Sequence, residues 1–328
     1  MIKVIEMVQA KANANFHSLY GSSFPDKITP LYQEYRRCWM EYPSRFFVRD
    51  FPIHLDVEAS SRCNLRCTFC DKLPILSRDQ IGDIDIRLYR KILDEAGEKG
   101  LWGLKLSYRG EPLLHPSIAE MVEYAKKRRV LDVYMNSNGM LLTEEMSNRL
   151  MDAALDRISI SVEGIDPVKF ERDRVGAKFD RILRNVETLM NLKANRGSEI
   201  PKVRVQTVCL PDVDLDEYTE FWKSRCDEVA AVDYKDVVHR DEKIINSEWA
   251  CPQLWQRMTI EWDGTVMACN NDDFRSLSPG NAQERDISSC WHDPLVQKTR
   301  ELHMEGKSHL LKACRGCPWR TTQIMKHG

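Results

Sequence analysis

The stretch "SRCNLRCTFCDK" places three cysteines within eight positions, Cys63, Cys67 and Cys70, in the spacing C-x3-C-x2-C. Thiolates this close together ligate soft metals, but a structural zinc and an ordinary ferredoxin-type cluster each take four protein ligands. Three thiolates on one loop hold three irons of a cubane and leave the fourth open. An iron without a protein ligand is free to bind a substrate or a cofactor directly. A zinc site would have to recruit a fourth ligand, for which the neighbouring sequence offers only His54. Unligated free thiols are the remaining alternative.

A second set lies in the tail: Cys251-x17-Cys269-x44-Cys314-x2-Cys317. Four thiolates suit either a closed iron–sulfur cluster or a structural zinc. Cys38, Cys226 and Cys290 stand apart and read as bystanders. Cys209 ends a strand-like run; it is either a small buried hydrophobe or a thiol able to donate a hydrogen atom. Eleven cysteines in a chain of 328 residues with no recognisable export signal point to metal or redox chemistry in a reducing compartment, and the expected location is the cytoplasm. The net charge of −2 provides no global field for nucleic acid or an anionic membrane. No apolar run approaches the roughly 20 residues that span a bilayer.

These cysteines need elements to position them. Residues 1–50 read as a mostly helical extension, with a helix in "LYQEYRRCWMEY". From 51 to 240, β-rich runs alternate with helical ones. The strands are "IHLDVEAS", "LKLSYRG", "LDVYMNSNG", "RISISVEG", "KVRVQTVCL" and "EVAAVDYKDVV". The third helix is expected to start on Thr143 as its N-cap. Six strands alternating with helices predict an α/β fold with a parallel sheet, open or closed into a barrel. The three-cysteine loop follows the first strand, at the carboxyl end where such sheets build their sites. The alternation stops near 240. "RMTIEWDGTVMAC" then predicts a hairpin with Asp263-Gly264 in a two-residue turn, and "DPLVQKTRELHMEG" one helix. Residues 241–328 are therefore expected to form a small cysteine-rich domain.

Cys63, Cys67 and Cys70, with Phe69 before the last cysteine, resemble the signature of the radical S-adenosylmethionine (SAM) superfamily. The resemblance implies a partial (β/α)6 TIM-like barrel and a [4Fe-4S] cluster whose open iron is chelated by SAM. It implies reductive cleavage of SAM to a 5′-deoxyadenosyl radical that abstracts a hydrogen atom from a substrate C–H. "RGEP" (109–112) is similar to the family's "GGEP", which implicates Gly110 and Glu111 at the SAM amino group, with Arg109 where the family has glycine. "NSNG" resembles "TNG" and implicates Ser137 and Asn138. "SVEG" is similar to "SLDG" and implicates Ser161; Arg172 or Arg174 would supply a cation for the SAM carboxylate. The tail, with Gly-x4-Cys and "CRGCPW", resembles the SPASM/twitch extension. That implies an auxiliary [4Fe-4S] cluster on Cys251, Cys269, Cys314 and Cys317, the four-cysteine twitch form fitting better.

The cysteine layout is similar to that of a family member that oxidises an aminocyclitol alcohol, and the tail also resembles members from polysaccharide and natural-product pathways. The function implied is oxidation of a sugar- or cyclitol-type alcohol, with the auxiliary cluster as electron acceptor and a donor such as flavodoxin or ferredoxin. The alternatives are an epimerase using Cys209, a peptide maturase, or a non-catalytic iron–sulfur or zinc protein. Neither nucleic acid nor membrane is an expected partner.

Overall fold

A computed structural model describes residues 16–25, 28–70, 72, 81–234 and 248–327. Its centre is six parallel strands: β2 (His54–Val57), β4 (Gly103–Lys105), β5 (Asp132–Ser137), β6 (Arg157–Ser161), β8 (Lys202–Cys209) and β9 (Glu228–Asp233). They are the six strands expected from the alternation, except that the end of "EVAAVDYKDVV" lies outside the described residues. The helices between them are α2 (Ile86–Glu98), α3 (Ile118–Lys127), α4 (Glu144–Asp152), α5 (Pro167–Asp173), α6 (Phe179–Arg196) and α7 (Leu215–Trp222). In α2 the buried residues are Tyr89, Ile92, Leu93 and Ala96, one face of a 3.6-residue period. They meet the outward strand residues Leu55, Val57, Leu104 and Leu106 in the main core. Thr143 caps α4 as expected, its side chain accepting from the Met146 N–H at 3.2 Å.

Strand residues of the other parity point inward, and there the barrel is polar. Lys105, Tyr134, Asn136, Arg204 and Gln206 face a common cavity. Apolar residues outward and polar residues inward make this interior a site rather than a packed core.

The N-terminal extension is not all helix. Strand β1 (Phe16–Gly21) pairs antiparallel with β9 and extends the sheet, and α1 (Pro30–Ser44) follows. Residues Tyr32, Tyr35 and Trp39 of α1 pack with Ile53 in a small second core. The Tyr35 hydroxyl lies 3.4 Å from His54 Nδ1, so α1 closes the amino end of β2.

The tail continues the same sheet. Strand β10 (Arg257–Ile260) pairs parallel with β2, and β11 (Thr265–Met267) and β12 (Gly280–Asn281) add to it, completing ten strands in the order β1-β9-β8-β6-β5-β4-β2-β10-β11-β12. The hairpin turn is longer than expected. Glu261 N donates to Thr265 O at 2.9 Å, leaving a three-residue connection, with Gly264 at φ +87°. Helices α8 (Ile287–Trp291), α9 (Pro294–Met304) and α10 (Pro318–His327) follow; α9 is the single helix expected from "DPLVQKTRELHMEG". Among the described residues no helix is long and apolar enough to cross a membrane.

Candidate active site

The three-cysteine loop rests on a ladder that the sequence does not advertise. Strand β3 (Arg66–Cys67) pairs antiparallel with β7 (Arg174–Val175), setting Cys67 opposite Arg174. The buried Arg174 guanidinium then lies 3.8 Å from Cys67 Sγ, and its Nη2 donates to Glu163 Oε1 at 2.8 Å. The same guanidinium sits 5.5 Å from the Phe69 ring. Burial pushes the Cys67 thiol up to about 11, against the opposing pull of Arg174; burial also raises Cys63. Thiols so placed stay protonated at neutral pH unless a cationic centre takes the proton's place, as metal ligation does.

The loops after β4 and β5 lock onto this one. Glu111 N donates to Arg62 O at 2.7 Å. An added Cβ on Gly110 would come within 2.5 Å of the Arg62 carbonyl oxygen, so only glycine permits this approach. The Glu111 carboxylate accepts from Ser137 Oγ (2.8 Å), Asn138 N (2.7 Å) and Leu113 N (3.1 Å). Burial raises its pKa, and these donors oppose the rise. Asn138 Nδ2 reaches Asn64 Oδ1 of the cysteine loop at 2.8 Å.

Cys63, Cys67, Cys70, Phe69, Gly110, Glu111, Ser137, Asn138, Ser161 and Arg174 all line one cavity of about 550 Å³. Spacing left Arg172 and Arg174 as equals. Only Arg174 lines the cavity; Arg172 is largely exposed and pairs with its neighbour Asp173. Cys209 is also absent from the lining. Its neighbour Val208 and its register partner Asp233 do line it.

The tail cysteines converge independently. Cys251, Cys269, Cys314 and Cys317 line a small buried cavity together with His303 and Arg320. Cys290 is buried in α8 and does not join them. His303 accepts from Cys251 N at 3.1 Å through Nδ1 and lies 3.4 Å from Cys314 Sγ through Nε2; burial holds its pKa down at about 4. Burial raises all three of Cys251, Cys269 and Cys314, with mutual repulsion among the cysteines adding to it. Among the described residues no group of three or more cysteines, histidines or carboxylates is gathered as a single ion would require. A tetrahedral zinc needs its sulfurs about 2.3 Å from one centre. The four-thiol donor set suits an iron–sulfur cluster.

Two features escaped the sequence. Gln253, Asn271 and Trp319 line both the main cavity and the small one, so the two cysteine sets share a wall. The junction carries a buried ion network: Arg109 forks onto Glu58 (2.9 and 2.7 Å) and reaches Glu261 at 3.2 Å, tying β2's end to the hairpin. The arginine in the glycine position of "RGEP" was the visible signal for the latter.

A barrel with an open three-cysteine site and a cysteine-rich tail defines an iron–sulfur protein of the SAM-cleaving kind. Residues 57–222 match the Radical SAM superfamily, half of the chain, and the chain belongs to that superfamily. Residues 251–318 match SPASM, an iron-sulfur cluster-binding domain. Its cofactors are SAM, a [4Fe-4S] cluster and auxiliary iron–sulfur chemistry in the tail. The chain is 32% identical over 133 residues to a probable GTP 3′,8-cyclase of Methanococcus maripaludis, covering 38% of this chain and 41% of that one. It is 41% identical over 162 residues to the tungsten-containing aldehyde ferredoxin oxidoreductase cofactor-modifying protein of Pyrococcus furiosus, covering 47% and 43%. The matches thus span less than half the length of these curated relatives. In fold the chain is similar to BtrN in complex with AdoMet and 2-DOIA, with TM-score 0.55, 18% identity, and coverage of 82% and 94%.

Proposed function

We propose that this chain oxidises an alcohol carbon of a polar, carbohydrate-like substrate, using SAM cleaved at the Cys63/Cys67/Cys70 site. When bound, the open cluster supplies the electron that cleaves SAM, and the auxiliary cluster accepts the electron that the substrate must lose. The observation that carries this reading is the shared wall of Gln253, Asn271 and Trp319 between the substrate cavity and the four-cysteine cavity. Removing two hydrogens from an alcohol takes one hydrogen atom, one proton and one electron, so an electron exit beside the substrate is what oxidation needs.

This chain's own residues do the rest. In this reading Arg174 and Ser161 take the SAM carboxylate and ribose, and the Gly110–Glu111 turn its amino group. Lys105, Asn136, Gln206, Asn270 and Asn271 present amide and ammonium groups toward the remaining space, and Tyr108, Tyr134 and Trp319 present aromatic faces. Amides beside rings are the chemistry that holds hydroxylated, partly apolar rings. The names of the curated relatives attach to other substrates, but the stretches matched cover less than half of those proteins.

Epimerisation needs a hydrogen donor in the cavity, and the candidate, Cys209, is not among its lining residues. The test is product mass after anaerobic turnover with SAM and a panel of sugars and cyclitols. Oxidation gives product lighter by two hydrogens, still formed by Cys209→Ala and lost when Cys314 and Cys317 are both replaced by alanine. Product of unchanged mass, carrying one deuterium from heavy water and lost in Cys209→Ala, would establish epimerisation instead.

A further inference from the structure

The main cavity continues into a side chamber of about 210 Å³ beside α1. The two share Phe16, Tyr134, Arg204, Gln253, Arg257 and Trp319. Four arginines line the chamber, Arg36, Arg157, Arg204 and Arg257. They come from four different elements, so no single helix or strand repeat explains the grouping. Three have a carboxylate partner. Arg157 forks onto Asp132 at 2.9 and 2.6 Å, Arg204 meets Glu228 at 2.7 Å, and Arg257 meets Asp56 at 3.3 Å. Arg36 has no ion-paired carboxylate among the described residues. Four guanidiniums against three carboxylates leave one positive charge in a partly buried, low-dielectric space, where an unbalanced charge is costly.

The arginines sit within cation–π distance of aromatic rings. Arg36 lies 5.4, 5.4 and 5.3 Å from the ring centres of Phe24, Tyr35 and Trp39. Arg157 lies 4.2 Å from that of Tyr134, and Arg204 4.5 Å from that of Phe16. The Nε donors of Arg36 and Arg257 are buried and have no acceptor among the described residues.

We propose that this chamber is the anion subsite of the substrate pocket, and that the substrate carries a phosphoryl group seated among Arg36, Arg157, Arg204 and Arg257. The proposal rests on the main cavity being the substrate chamber. A carboxylate is satisfied by one fork, whereas a tetrahedral phosphoryl group offers acceptors in several directions and matches guanidiniums converging from separate elements. With the phosphoryl group among the arginines, the rest of the substrate extends into the adjoining main cavity, toward Lys105, Asn136 and Gln206.

The test is calorimetric titration of the reconstituted holoprotein with inorganic phosphate at constant ionic strength, without turnover. The expected result is saturable binding at one site per chain. It should weaken at least about ten-fold in Arg36→Met, which keeps a side chain over the rings but loses the charge, and recover in part in Arg36→Lys. Arg87→Met, on the exposed face of α2, should bind as wild type. If Arg36→Met does not fold, protection supplies the same answer in the wild type: phosphate should slow phenylglyoxal modification of Arg36, read by peptide mapping. Glucose 6-phosphate or UDP-glucose should displace phosphate, the better competitor marking a monoester or a diphosphate. Absence of saturable binding, equal binding by Arg36→Met, or equal displacement by acetate would overturn the proposal. SAM cleavage and product mass report separately on the oxidation reading, so phosphate binding at Arg36 without oxidation would fail that reading alone.

Discussion

At the scale of single residues, the site turns on close approaches that admit few substitutions. Gly110→Ala would drive a Cβ into the carbonyls of the cysteine loop, so the backbone there has to move. The expected outcome is destabilisation of about 1–3 kcal/mol with SAM cleavage largely lost, checked by thermal midpoint and by 5′-deoxyadenosine yield. The two arginines that spacing could not separate now part company. Arg174→Met leaves Glu163 buried without its partner, a cost of about 3–5 kcal/mol, and removes the cation beside Cys67. Arg172→Ala touches an exposed pair and should change stability by no more than about 0.5 kcal/mol and leave SAM affinity unchanged. The sequence could not rank them because the β3–β7 ladder is two residues long on each side, too short to show a period. The cysteine spacing, by contrast, was legible because metal geometry constrains it chemically rather than through packing.

At the scale of elements, the hairpin is what delivers Cys269 to the tail site. Its turn glycine has φ +87°, and a Cβ there would meet Asn281 Oδ1 at 2.6 Å. Gly264→Ala should cost about 1–3 kcal/mol and lower iron content toward that of a protein with one cluster. Cys290→Ala should keep the full complement of about eight irons expected for two cubanes. Iron analysis after anaerobic reconstitution checks both, and loss of half the iron in Cys290→Ala would show the ligand set to be wrong. The hairpin itself was readable from Asp263-Gly264, but its extra loop residue was not. In the three-residue connection Asn281 Nδ2, from β12, donates to the turn carbonyl of Asp263 at 3.0 Å, a contact no local pattern announces. Strand β1 was missed for a related reason: six residues at a sheet edge, paired among the described residues only with β9, carry little pattern of their own.

At the scale of the whole molecule, the boundary drawn near residue 240 does not divide the sheet. Pairing of β10 with β2, and Arg109 across the junction, predict that barrel and tail unfold together. Far-ultraviolet dichroism and tryptophan fluorescence should report one coincident transition; two separated transitions would contradict this. The polar interior sets the acid limit. Burial alone would raise the carboxyl pKa of Asp132, but Arg157, together with Arg36 and His54, holds it below the ordinary range. A lowered carboxyl contributes stability above its unfolded pKa near 3.8, and that contribution is lost as pH falls below that value. Asp132→Asn should therefore flatten the acid limb of the stability curve. At neutral pH it should destabilise by about 3–5 kcal/mol, because Arg157 is left buried and unpaired. Urea unfolding as a function of pH measures both effects.

The sequence carried the fold class, since six alternations with an outward apolar parity are local patterns. It did not carry the wall shared by the two cysteine sets, which Gln253, Asn271 and Trp319 form only once the tail has folded onto the barrel. All of this chemistry starts at the three-cysteine site. Its sharpest test is the yield of 5′-deoxyadenosine from SAM under a strong reductant without oxygen, compared among wild type, Cys67→Ala and a variant with Cys314 and Cys317 both replaced by alanine. The prediction is cleavage by the wild type and by the tail variant, and none by Cys67→Ala. Undiminished cleavage by Cys67→Ala would contradict it.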